Sequence, residues 1–147
     1  MIRRLAPALV TLALLAGCGE DEPAGTTAPA GQESSLELTL DSDGEGGRAQ
    51  RTASVTCPGP SGPQGPEACA EVLLLTPDDA DPVPPGVACT EIYGGPDLTI
   101  VTGTIEGEDV EATLNRANGC EIERFDRWTP LLRELFPGYS PGQALRP

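Results

Sequence analysis

The chain has 147 residues, with 23 acids against nine arginines, no lysine and no histidine, for a formal net charge of −14. The missing histidine removes Ser-His-Asp and Cys-His catalysis and most zinc chemistry, and the missing basic footprint argues against nucleic acid as a partner. The length suits one domain with extensions.

In chain order, Met1-Ile2-Arg3-Arg4 is a short basic region and Leu5 to Leu15 an apolar run of 11 residues. That is too short to span a bilayer and fits a secretion signal over residues 1–17. Leu15-Ala16-Gly17-Cys18 resembles a bacterial lipobox. Its cleavage would leave Cys18 lipidated as the new first residue and hold the protein on the outer side of the cell membrane. Loss of Arg3 and Arg4 then leaves seven arginines against 23 acids, about −16. Residues 18–34 carry no apolar period and read as a disordered tether.

The globular pattern begins at Ser35. Leu36, Leu38 and Leu40 alternate with polar residues, the mark of a half-buried strand. Asp41 to Gly47 is a turn. Its acids fit only the first positions of a calcium loop, and the terminal bidentate Glu is absent. Ala53 to Cys57 reads as a second strand paired with the first. Pro58 to Pro66 holds a few Gly-Pro triplets, too few for a triple helix. Pro66 to Leu75 reads as a short helix covering one face of a sheet. Thr76 to Val87 is a Pro- and Asp-rich loop.

Cys89-Thr90-Glu91-Ile92-Tyr93-Gly94-Gly95-Pro96 is, alone, a strand end entering a turn. Beyond it Leu98 to Ile105 is a β-branched strand and Val110 to Arg116 its returning partner. Glu121 to Trp128 is expected as a last strand. Thr129 to Phe136 is expected as a small helix, with Thr129 as its cap and Pro130 after it. The tail from Pro137 to Pro147 is expected to be loose. The domain is accordingly bounded at 35–129, followed by a short helix and flexible tail over 130–147. Glu121 and Glu123 alternate on the expected strand and read as solvated rather than as an acid–base pair, and nothing in the chain points to an enzyme, a cofactor or a metal.

Setting Cys18 aside leaves Cys57, Cys69, Cys89 and Cys120, an even set in an exported domain with no C-x-x-C pair. Disulfides are therefore expected in place of zinc. Sequence alone allows three connectivities. The Gly-Pro loop is most simply closed by Cys57–Cys69, which leaves Cys89–Cys120.

In this frame the chain resembles the subtilisin-inhibitor-like family of exported bacterial protease inhibitors. The match rests on Leu36 to Leu40, Val55-Thr56-Cys57-Pro58-Gly59-Pro60-Ser61-Gly62, Ala68-Cys69-Ala70, Cys89 to Pro96, Val101-Thr102-Gly103-Thr104 and Asn118-Gly119-Cys120-Glu121. It runs from about Ser35 to Trp128. The resemblance implies an α+β fold with a five-stranded antiparallel sheet, two short helices and the disulfides Cys57–Cys69 and Cys89–Cys120. It implies a serine-endopeptidase inhibitor whose reactive bond is Glu91–Ile92, with Thr90, Ile92 and Tyr93 as flanking contacts, and often a homodimer through the sheet. Glu91 stands where family members commonly carry Met or Lys. That departure leaves open an enzyme with a basic pocket, such as a glutamyl endopeptidase. A different class of function is a non-inhibitory cell-surface module on the same fold. Glu91 and the two glycines favour that class, whereas the cysteine frame and the loop length favour inhibition.

Overall fold

A computed structural model describes residues 32–46, 50–59 and 67–143. The signal segment, Cys18, most of the tether and most of the Gly-Pro loop lie outside these residues. Four antiparallel strands form one sheet in the order β2-β1-β3-β4: β1 Ser34–Asp41, β2 Gln50–Cys57, β3 Leu98–Ile105 and β4 Glu108–Asn115. The alternation seen in the sequence sets the register. Leu36, Leu38 and Leu40 of β1 point inward with Val55, Val101, Ile105, Ala112 and Leu114, all buried. Ser35, Glu37, Thr52, Ser54, Thr102 and Thr113 face outward. Cross-strand pairs on that outer face join hydroxyls, Ser35 with Thr56 at 3.1 Å and Thr39 with Thr52 at 3.0 Å. Glu106 and Gly107, both at positive φ, make the two-residue turn between β3 and β4.

The helical layer covers the inward face. Helix α1, Ala68–Val72, buries Ala68, Cys69 and Val72. A 3-10 turn, Pro77–Ala80, lies within the stretch expected to be plain loop. Helix α2, Gly119–Leu135, is the main element of this layer. Its Phe125, Trp128, Leu131 and Leu132 are essentially solvent-free, and each such side chain contributes about 1.5–3 kcal/mol of burial. The Trp128 indole N–H donates to the Asp79 carbonyl at 3.1 Å, so its polar edge is satisfied.

Two expectations are corrected here. The segment Glu121–Trp128 is not a fifth strand but the first half of α2, which runs on through the helix expected to start at Thr129. Asn118 caps it, its side-chain oxygen accepting from the Glu121 N–H at 3.0 Å. Ile122, Phe125, Trp128, Thr129 and Leu132 recur at helical spacing along it. Pro130 is exposed, so water can replace the backbone donor it lacks. The second correction concerns the tail. Tyr139, within the stretch expected to be loose, is only 4 % exposed and lies beside the equally buried Phe136 at the end of α2, so the core continues past the helix. The coarser expectation holds: an α+β fold with an antiparallel sheet, few helices and two disulfides, Cys57–Cys69 and Cys89–Cys120.

Arg124 knits the layers together. Its guanidinium donates to the carbonyls of Ala80 and Thr113 at 2.8 and 3.1 Å and pairs with Glu121. In the turn after β1, the Asp41 carboxylate accepts from the backbone N–H groups of Asp43, Gly44 and Gly46. Burial raises the cost of its charge, but the bonds from Asp43, Gly46 and Gly44 outweigh that and hold the carboxyl below its ordinary range. The acids of this turn thus serve its own backbone. Among the described residues, no group of three or more His, Cys, Asp or Glu could hold a metal ion.

Candidate functional site

The segment from Cys89 to Pro96 joins the 3-10 region to β3 and has no regular secondary structure. Thr90, Glu91, Ile92 and Tyr93 are all exposed, Ile92 to 60 % and Tyr93 to 67 %. The two stand side by side in the chain and offer an aliphatic and an aromatic side chain to solvent. Glu106 is the only non-glycine at positive φ among the described residues, so the loop backbone carries no left-handed kink between Cys89 and Tyr93.

Both ends of the loop are fixed to the same support, the region where β4 turns into α2. On the entry side Cys89 is bonded to Cys120, in the first turn of α2, with the two Cα atoms 5.4 Å apart. One residue on, the Thr90 carbonyl accepts from the Gly119 N–H at 2.9 Å. This approach is so close that a Cβ at Gly119 would stand 2.0 Å from the Thr90 hydroxyl oxygen. On the exit side the Gly94 N–H donates to the Arg116 carbonyl at 2.8 Å, and the Arg116 Nε donates back to the Gly94 carbonyl at 3.1 Å. The Arg116 guanidinium is held in turn by the Asp126 carboxylate and lies 5.2 Å from the centre of the Phe125 ring. A Cβ at Gly94 would stand 2.8 Å from the Ile122 side chain. Gly94 is therefore seated on α2 and does not act as a hinge.

Between these anchors, Glu91, Ile92 and Tyr93 make no hydrogen bond to any described residue. Their main-chain groups are free to pair with another chain in an extended mode.

The structure thus brings together Cys89, Cys120 and the four predicted loop residues, and places Cys57–Cys69 elsewhere, between β2 and α1. Sequence reading did not find Arg116 or Gly119 as supports, nor the buried hydrogen bond from the Tyr139 hydroxyl to Asp97 Oδ1, at 2.9 Å, just past the loop. Asn115-Arg116-Ala117-Asn118-Gly119 reads as a turn, and no local pattern shows which carbonyl Arg116 reaches. Phe136-Pro137-Gly138-Tyr139 carried a usable signal, a Pro-Gly turn flanked by two aromatics after a helix. Its Tyr139 N–H donates to the Phe136 carbonyl at 2.9 Å.

Comparison with protein-family models, with curated proteins and with solved structures gave no match. Support for a function therefore comes from the geometry of this loop and from the residues that carry the resemblance described above. No helix among the described residues is long and apolar enough to cross a membrane.

Proposed function

We propose that this protein is an inhibitor of a serine endopeptidase, presenting Thr90–Tyr93 to the enzyme as a substrate-like loop with Glu91–Ile92 as the reactive bond. One observation carries the reading: an exposed, unpaired segment is held at both ends by one rigid support. A loop already extended loses little conformational entropy on docking. It adds main-chain hydrogen bonds along the cleft, while Thr90, Ile92 and Tyr93 fill the flanking subsites.

The chemistry is ordinary peptide cleavage made reversible. The enzyme's serine oxygen attacks the Glu91 carbonyl carbon, the C–N bond to Ile92 breaks, and the Ile92 nitrogen takes the proton. In a peptide substrate that amine diffuses away. Here its chain remains fastened at Gly94, so it stays beside the acyl group and religation competes with water. The side chain of Glu91 selects the enzyme. A carboxylate in an apolar pocket would be a buried, unpaired charge costing several kcal/mol. The partner is therefore an endopeptidase with a cationic specificity pocket, of the glutamyl type. Lipid on Cys18 would hold the inhibitor at the outer face of the cell membrane. The sheet's outward Ser and Thr side chains would form the surface of any homodimer.

The test is a titration of the folded, oxidised protein against a glutamyl endopeptidase, subtilisin and trypsin. Stoichiometric inhibition of the first is expected, and Glu91→Met should transfer inhibition to subtilisin. No inhibition at micromolar protein with rapid cutting after Glu91 would leave the non-inhibitory cell-surface module as the better reading. Retention of the protein at the membrane after Cys18→Ser would refute the anchor.

A further inference from the structure

The end of the chain supports the loop in a way the cysteine frame does not. Past α2, the Tyr139 hydroxyl donates to Asp97 Oδ1 at 2.9 Å, and the Gly142 N–H donates to Asp97 Oδ2 at 2.8 Å. Both oxygens of one carboxylate are thus held by residues 139–142. Asp97 is 1 % exposed and stands two residues after Gly95. The backbones also touch. A Cβ at Gly95 would stand 2.7 Å from the Gly142 Cα, and a Cβ at Gly142 would stand 2.9 Å from the Gly94 carbonyl oxygen.

We propose that Phe136–Gln143 is a strap that fixes the exit half of the presented loop, with Tyr139 and Gly142 as positioning residues acting through Asp97. The proposal rests on the reading of Thr90–Tyr93 as a substrate-like loop. It adds where the cut product is held. Cys89–Cys120 retains the acyl side, whereas the amine side has no disulfide. That side depends on the Arg116 contacts at Gly94 and, directly behind them, on the strap. Without the strap, Gly95–Asp97 could move away and take the Ile92 amine out of reach of the acyl group.

The alternative is that Tyr139 only fills the core. The test compares the full oxidised chain with Tyr139→Phe, Gly142→Ala and a control, Val72→Ala, which removes buried volume in α1 away from the loop. Two rates are read at a temperature where all four are folded: amide hydrogen exchange at Gly94, and cutting of Glu91–Ile92 by a glutamyl endopeptidase. Both strap variants should exchange and be cut roughly tenfold faster than the parent: Tyr139→Phe loses one hydrogen bond to a carboxylate, whereas Gly142→Ala keeps its N–H but sets a Cβ against the Gly94 carbonyl at a positive φ. Val72→Ala should match the parent. Strap variants that match the parent, or that match a faster Val72→Ala, overturn the proposal. Exchange needs no enzyme, so a parent that fails to inhibit refutes the inhibitor reading while the strap is still judged at Gly94. If Tyr139→Phe does not fold, Gly142→Ala decides.

Discussion

Removing each disulfide in turn separates support of the loop from stability of the domain. Cys57–Cys69 joins residues 12 apart in sequence and Cys89–Cys120 residues 31 apart. In the chain-entropy picture, closing loops of those sizes stabilises the fold by about 2.9 and about 3.7 kcal/mol. The paired alanine variants should therefore differ by under about 1 kcal/mol in urea unfolding. Cys57 is buried, and alanine there adds a cavity cost that narrows the gap further. The loop should respond very differently. Without Cys89–Cys120 the entry side keeps a single backbone bond, Gly119 N–H to the Thr90 carbonyl, worth about 1 kcal/mol net. Without Cys57–Cys69 every loop contact remains. Proteolysis at Glu91–Ile92, followed by mass spectrometry where both variants are folded, should be at least about tenfold faster in the first variant only. Equal acceleration in both would mean that cutting follows global opening, and the local-support reasoning would be refuted.

Two further outcomes follow from groups away from the Glu91–Ile92 bond. Asp41 and Asp79 both titrate below the ordinary 3.8; at Asp79, burial is outweighed by hydrogen bonds from Thr76 and by Arg127. Their contribution is complete above that value and is lost as pH falls through their lower folded values. Burial and the bond to Asp97 push the Tyr139 hydroxyl far above its ordinary 10.0, so stability should fall again as pH rises past about 10. The chain has no lysine to blur that limb. Urea midpoints measured across pH should show a plateau between these limits, and Tyr139→Phe should remove most of the alkaline fall. Asn118→Ala should cost about 1 kcal/mol by removing the cap of α2. Because α2 begins at Gly119, whose N–H holds Thr90, the same change should raise exchange at Gly119; an unaltered rate there would show that the cap does not steady the loop.

The strands were legible because period-two alternation is a local signal, and Leu36-Leu38-Leu40 and Val110-Ala112-Leu114 carry it plainly. Helix α2 was misread because Glu121-Ile122-Glu123 imitates alternation and Pro130 looks like a boundary. The stronger evidence was the longer spacing from Ile122 to Leu132, together with the Asn118 cap. The loop was legible from its cysteine and its Gly-Gly-Pro exit. Its support was not, because Asp97 and Tyr139 are 42 residues apart and meet only through tertiary packing.

In this loop, address and grip belong to different residues. Glu91, Ile92 and Tyr93 touch nothing behind them through hydrogen bonds, while the hold is exerted by the backbones of Thr90, Gly94 and Gly95 and by side chains outside the segment. Under the inhibitor reading, residues 91–93 could therefore be rewritten for another protease while every hydrogen bond that holds the loop is kept. A single methyl group added at Gly95 or Gly142 would wedge the seam between loop and tail whatever residues stand at 91–93.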